Sequence, residues 1–198
     1  MRAYLRSLPL TAIALAAGIS GAHADWRDSA TPYDVKRLSL LQESRARGLA
    51  ESQSGRDAAL IGSVLARPAE STSIEALAGV WRCRTIKLGG MTPDVVYSWF
   101  KCRVSERRGG WLFEKYSGSQ HVQGMLYPYE SGGYVFLGAS SVKGEPAHRY
   151  SGSGASAGAP ATPDDAIGLL VSTGRSSARV EFPYPVQESV FDVIEMKR

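Results

Sequence analysis

The sequence predicts a mainly β fold: a small antiparallel β-barrel, or a strongly twisted sheet, of about eight strands, with one or two N-terminal helices packed outside it. Three observations carry that reading. Helical periodicity stops at Gly79, and extended runs separated by Gly-, Pro- and Ser-bearing turns follow one another to the C-terminus. Cys83 and Cys102 each sit at the centre of such a run, flanked by basic residues. Alternation in three successive runs then throws Trp81, Cys83, Phe100, Cys102, Val104, Trp111 and Phe113 onto one face. The chain divides into an expected leader over 1–24, a helical segment over 25–78 and an antiparallel β domain over 79–198, the last two folding as one unit.

The leader is read from its composition. Arg2 and Arg6 precede an apolar run over 8–19 that is too short to span a bilayer, and Ala22-His23-Ala24 supplies a small-x-small cleavage pattern. A signal peptide cut after Ala24 is expected, with the periplasm of a Gram-negative cell as the destination. No later run approaches the ~20 apolar residues of a membrane helix, so no transmembrane span is expected after cleavage, and no lipobox cysteine follows the apolar run. The formal net charge of +4 loses Arg2 and Arg6 with the leader and becomes +2. That surplus is too mild to argue for nucleic acid, and export argues against it as well. An oxidising compartment favours a disulfide between the two cysteines over a thiol nucleophile or a metal site.

Taken in order, residues 25–30 read as a short lead-in. Thr31-Pro32-Tyr33-Asp34 combines a cap residue, a proline at the first helical position and an acid in the first turn, which starts a helix. Val35, Leu38, Leu41 and Ala46 fall near one face, with Lys36, Arg37, Glu43 and Arg45 mostly elsewhere. Gly48 and Ser54-Gly55 are expected to weaken the middle, and a second helical piece over 56–65 ends before Pro68. The first hairpin, folded about Thr92–Pro93, sets Cys83 opposite Cys102, Trp81 opposite Val104 and Thr85 opposite Phe100. Directly opposed residues lie within reach of a disulfide. A second turn over 106–109 sets Val104 opposite Trp111, Cys102 opposite Phe113 and Lys101 opposite Glu114. Strands over 121–127, 134–140, 166–172, 178–182 and 189–196 complete the set, with a Gly/Ser/Ala/Pro loop over 144–163. Closure into a barrel would remove the edges that an open sheet has to protect.

The candidate site residues lie on the first hairpin. On the face away from the cysteines, Arg82 is expected across from Arg103 and Arg84 across from Lys101. Opposed like charges repel, so these four either meet carboxylates or offer a contact surface to an anion. Trp81 is the candidate for a plug or core residue at a strand start. Gly154-Ala155-Ser156-Ala157-Gly158 matches a nucleophile-elbow pattern, but a strand before it and a helix after it are lacking, and prolines follow. His121 and His148 have no metal-ligand spacing. Asp164 and Asp165 are expected to be solvated, and Asp192 and Glu195 have opposite parity on their strand. The reading therefore names no catalytic residue, no metal and no cofactor, and leans away from an enzyme. Its leading function is an exported binding protein for an anionic or amphipathic envelope ligand, or for a periplasmic protein, through Arg82, Arg84, Lys101 and Arg103. An interaction module of the protease-inhibitor kind is the alternative, and a hydrolase using Ser156 or His121 the least favoured.

Gly79-Val80-Trp81 resembles the Gly-x-Trp opening of lipocalin-like barrels, in which the Trp plugs the closed end. One Gly-x-Trp and one disulfide also resemble, in outline, the streptavidin-like periplasmic protease inhibitors. A longer likeness runs through Asp25-Trp26-Arg27, Thr31-Pro32 and Trp81-Arg82-Cys83-Arg84-Thr85-Ile86-Lys87-Leu88-Gly89. It continues through Phe100-Lys101-Cys102-Arg103, Gly118-Ser119-Gln120, Leu126-Tyr127-Pro128, Phe136-Leu137-Gly138, Glu188-Ser189 and Asp192-Val193-Ile194-Glu195. By these stretches the chain resembles the bacterial family known as domain of unknown function 4893. The resemblance implies the exported address and the architecture, and carries no activity, cofactor or site.

Overall fold

The computed structural model describes residues 25–152 and 162–198. The leader expected over 1–24 and the serine of the elbow pattern, Ser156, lie outside the described residues. Among those described, five short helices come first: α1 (Trp26–Ser29), α2 (Pro32–Ser39), α3 (Leu41–Ser52), α4 (Ala58–Leu65) and α5 (Ile74–Leu77). The strands are β1 (Gly79–Leu88), β2 (Asp94–Val96), β3 (Phe100–Arg107), β4 (Gly110–Lys115), β5 (Gln120–Pro128), β6 (Tyr134–Val142), β7 (Asp165–Gly174), β8 (Ser177–Pro183) and β9 (Phe191–Lys197). They pair antiparallel in the order β2-β1-β3-β4-β5-β6-β7-β8-β9, and β1 also pairs with β9 from Arg82↔Lys197 to Leu88↔Phe191. That last pairing closes β1 and β3–β9 into an eight-stranded barrel, with β2 an extra strand on the end of β1. Of the two expected architectures, the closed one forms.

Both hairpin registers differ from expectation by two residues. Trp81 opposes Cys102 and Cys83 opposes Phe100, so the half-cystines are diagonal neighbours with Cα atoms 5.9 Å apart and sulfurs at disulfide distance. The cause is the position of the reversal. Gly89 and Gly90 adopt φ of +70° and +81°, and Gly89 N–H donates to the Pro93 carbonyl, which turns the chain earlier than Thr92–Pro93. In the second hairpin, Gly109 and Gly110 hold positive φ and set Arg107 opposite Gly110, so the turn comes later. Cys102 therefore faces Lys115, Val104 faces Phe113 and Arg103, not Lys101, faces Glu114. A slip of two keeps every side chain on its expected face, whereas a slip of one would have inverted the barrel.

The inward face is the apolar one. Trp81, Cys83, Cys102, Val104, Phe113, Leu126, Phe136, Leu170, Val180, Phe182, Ile194 and Met196 form one cluster inside the barrel, with Phe100 and Trp111 packed against it. Phe113, Phe136 and Phe182 meet edge-to-face at 5.9 and 5.6 Å. Glycines 124 and 138, directly paired, leave the space that Phe136 occupies: a Cβ on either would lie within about 2.6 Å of its ring.

Helices α3 and α4 cover the outer positions of β1 and β9, where Ile61, Val64, Leu65, Ile86, Leu88, Phe191 and Val193 pack together. Gly48, expected to weaken a helix, lies inside α3, because a Cβ there would approach Phe191 Cβ to 2.7 Å. It permits close contact instead of breaking the helix. The break falls at Ser54-Gly55, as expected, and a further one at Leu40. The expected lead-in contains the one-turn α1, capped by Asp25 and burying Trp26.

Arg37, placed by periodicity away from the apolar face, is buried. It pairs with Asp34 and donates to the Asp165 and Tyr184 carbonyls. Tyr150 O–H donates to the other Asp34 oxygen at 2.6 Å and accepts from Thr31 N–H. This network ties α2 to the entry of β7, and burial with the Asp34 bond raises the Tyr150 phenol well above its ordinary pKa.

Candidate functional site

The barrel is shut at one end and open at the other. At the shut end α5 lies across the opening, Trp81 Nε1 donates to the Leu77 carbonyl at 2.8 Å, and the Arg198 guanidinium stacks 3.9 Å from the Trp81 ring. Arg198 also donates to the Ala76, Leu77 and Ala78 carbonyls, which ties β9 to the chain end of α5. Trp81 is 1% exposed. Here the plug candidate is a fully packed core residue.

At the other end the inward alternation continues into polar residues. Two positions past Phe113 is Lys115, and four past Cys83 is Lys87. Opposite Lys87 on β9 is Asp192, also inward. With Thr85, Val122, Ser140, Ala166, Phe182 and Ile194, these groups line a cavity of about 250 Å³. Its floor is the apolar interior just described, and its rim includes His121, His148, Asp164 and Glu188.

The two ammonium groups are held differently. Lys87 Nζ pairs with Glu188 at 2.5 Å. Burial works against its charge, but Glu188 and Asp192 outweigh that and hold its pKa above the ordinary lysine value. Asp192 is pushed up to about 6, chiefly by desolvation, although Ser189 Oγ donates to it at 2.6 Å and Lys87 draws it down. It lies deep among neighbouring atoms yet keeps contact with solvent through the mouth.

Lys115 is 5% exposed and has no carboxylate within ion-pair distance among the described residues. Its Nζ donates to the Ser117 carbonyl at 3.2 Å and to the Gln120 carbonyl, and stands 4.5 Å from the Phe100 ring centre. Burial lowers its pKa. A positive centre held by neutral acceptors in an apolar surround is what an incoming anion would complete.

The segment over 184–190 crosses beside this mouth under backbone strain. Tyr184 and Glu188 hold φ of +41° and +69°, a region that non-glycine residues visit rarely. Glu188 is pinned on both sides: its carboxylate by Lys87, its carbonyl by Met91 N–H at 3.0 Å. Gly90 packs so closely on Glu188 that a Cβ would sit 2.4 Å from its carbonyl oxygen.

The four basic candidates lie on the outer wall. Arg82 opposes Lys101, not Arg103, and neither has a carboxylate within ion-pair distance among the described residues. Arg84, expected across from Lys101, instead opposes Glu195 on β9 and pairs with it at 2.7 Å. Arg103 pairs with Glu114 at 2.7 Å, and that bond holds its pKa above the ordinary value. Asp192 and Glu195 do point to opposite faces. Asp165, expected in solvent, is buried and accepts from Ser151 N–H and Oγ at 3.2 and 3.1 Å. His148 Nδ1 lies 3.0 Å from Asp164, and no group of three His, Cys, Asp or Glu that could hold a metal occurs among the described residues. Nor is any described helix long and apolar enough to cross a membrane.

Lys87 and Lys115 were not singled out from the sequence, and Asp192 was weighed there only as half of a carboxylate pair with Glu195, although their parity with Trp81, Phe113 and Ile194 was available. A family described as Domain of unknown function (DUF4893) matches residues 26–196. No curated protein matches the chain.

Proposed function

Since this chain belongs to the DUF4893 family, a name that carries no activity, we propose from its own chemistry that it is a non-catalytic binding protein of the cell envelope. It is exported to the periplasm and takes a small anionic amphipathic molecule into the open end of its barrel. The observation that carries this reading is Lys115, a buried ammonium without a carboxylate within ion-pair distance among the described residues, at the edge of a cavity with an apolar floor. The anionic head meets Lys115, and the apolar part lies towards Phe182 and Ile194. Lys87 does not compete for the head, because Glu188 and Asp192 already answer its charge. At about 250 Å³ the cavity falls just below the ~300–1,000 Å³ of drug-sized sites, so the ligand is small.

The test uses octanoate and octanol as probes, followed by titration calorimetry on the disulfide-bonded protein. One charge-assisted contact in a partly desolvated site separates the two by roughly tenfold or more. Octanoate is expected to bind and octanol to bind at least that much more weakly, with Lys115→Met erasing the difference. Equal binding of the two probes, or no binding of either, would overturn the proposal. Secretion is checked separately, by cell fractionation and by N-terminal sequencing for a chain beginning at Asp25.

A further inference from the structure

On the outer wall, away from the mouth, cations gather around one indole. The Arg82 and Arg84 guanidinium carbons lie 5.2 and 4.7 Å from the Trp99 ring centre, and Lys197 Nζ lies 5.4 Å from it. Glu195, 2% exposed, is shared by Arg84 at 2.7 Å, Lys197 at 3.1 Å and Arg67 at 3.8 Å. One buried carboxylate thus serves three cations. Arg82 adds a fourth without an acidic partner among the described residues, and Lys101 opposes it directly on β3.

Glu195 gives Arg84, Lys197 and Arg67 a structural reason to be there. The Arg82–Lys101 pair has no such carboxylate among the described residues, only the Trp99 ring beside Arg82, and like charges opposed across a sheet destabilise it. We propose that the part of the outer wall that α3 and α4 leave uncovered, around Arg82, Lys101 and Lys197 of β1, β3 and β9, docks the protein on an anionic bilayer surface, with Trp99 at the centre of the contact. A barrel wall is convex, with no socket for anchoring side chains, so it suits a deformable layer of phosphate headgroups better than a folded acidic partner. Half-buried Trp99 has the amphipathic ring that settles at headgroup depth. Exposed apolar side chains lie near it: Val80 (61% exposed) is on the same outward face as Arg82, and Tyr97 is two residues before Trp99. Neither Arg82, Lys101 nor Trp99 lines the cavity, so this docking stands or falls apart from the ligand reading. If both hold, the wall brings the open end to the source of an amphipathic ligand.

The experiment is co-sedimentation of the full disulfide-bonded chain with vesicles of phosphatidylglycerol mixed into phosphatidylcholine, against pure phosphatidylcholine. Each cation near an anionic surface is worth roughly a fivefold gain in partition. The double variant Arg82→Gln/Lys101→Gln is therefore expected to lose about tenfold or more, while its urea midpoint stays level or rises as the opposed charges go. Lys36→Gln/Arg149→Gln, which removes two exposed cations on the β6–β7 side of the barrel, is expected to keep binding. Brominated lipid is expected to quench tryptophan emission in the parent and much less in Trp99→Phe. Three results would each overturn the proposal: no preference for the anionic vesicles, an equal loss in the Lys36/Arg149 variant, or quenching that survives Trp99→Phe. Failure on vesicles alongside stoichiometric binding of an acidic protein would overturn it in favour of a protein interface.

Discussion

Compare the two ends of the barrel. The same eight strands supply both, and the same alternation decides which side chains point inward, yet one end is dry and the other charged. At the shut end Trp81 fills the interior and satisfies its one donor on Leu77, and Arg198 meets three carbonyls and an aromatic face. The Trp81 indole and the Arg198 guanidinium there both find partners supplied by the chain. At the open end Lys115 is held by two carbonyls and an aromatic ring with no opposite charge within ion-pair distance among the described residues, and desolvation pushes the Asp192 carboxyl up to about 6. The difference separates residues that complete the fold from residues that leave something to be completed, and it can be broken by mutation.

The largest effect is expected at the shut end. Trp81→Ala removes the biggest fully buried side chain and leaves a cavity among Val104, Met196 and Ile74. Large-to-small changes of this kind cost about 3–5 kcal/mol, so the urea midpoint should fall steeply. A loss under about 1 kcal/mol would mean that α5 collapses onto the gap and that the plug is not rigid. Next comes the disulfide. Cys83→Ala/Cys102→Ala opens a loop of 19 residues' separation, which in the chain-entropy model is worth about 3 kcal/mol. Because both half-cystines sit in the inner cluster, the loss should appear in stability and leave octanoate binding unchanged.

Trp81, Cys83 and Cys102 were the legible part of the molecule. The mainly β class, the eight strands of the main sheet, the inward face and the cysteine pairing follow from a period of two, which survives an error of two in register; closure into a barrel, and not an open twisted sheet, does not. The register itself did not follow from the turn residues. Thr92–Pro93 looked like the apex, but the positive-φ pair Gly89-Gly90 turns the chain first, and nothing local distinguishes a glycine that bends from one that spaces. Arg37 and Asp165 were misplaced for another reason. Their burial depends on Asp34, Ser151 and the Tyr184 carbonyl, partners brought in from distant segments, and periodicity carries no such information. The mouth fell between these cases. The parity that placed Phe113 inward also placed Lys115 there, but a lysine at a strand end reads by default as solvated, and only closure of the sheet turns that position into an interior.

A smaller effect, with a sign, is expected from Asp192. Its folded pKa of about 6 lies above the ordinary 3.8, so between those values the folded chain holds more protons than the unfolded one. Stability should therefore fall as pH rises through that window. Asp192→Asn carries no proton to lose, so its urea midpoint should be flatter over the same range and exceed that of the parent at neutral pH. Lys87 keeps Glu188 as a partner and should stay charged. If the variant shows the parent's slope, the titrating group is another one, and Asp192 does not mark the charged end.

The smallest effect on stability is expected from Lys115→Met, and it distinguishes the two ends most sharply. The substitution removes an ammonium that burial disfavours and replaces it with a side chain of similar length suited to Phe100. It also frees the Ser117 and Gln120 carbonyls, which water can reach at the mouth. Burying an unpaired charge and losing two hydrogen bonds to carbonyls roughly offset one another, so the change should lie within about 1 kcal/mol of zero. Its alkaline profile should change in one direction. Lys115 has a lowered folded pKa, so between that value and the ordinary 10.5 the unfolded chain holds the extra proton and stability gains as pH rises. Lys87, with its raised value, gives stability that is lost as pH climbs through it. Without Lys115 only the second trend should remain, while octanoate binding disappears. A loss of more than about 3 kcal/mol, comparable with Trp81→Ala, would place Lys115 in the frame of the barrel. The two ends would then differ in polarity but not in purpose.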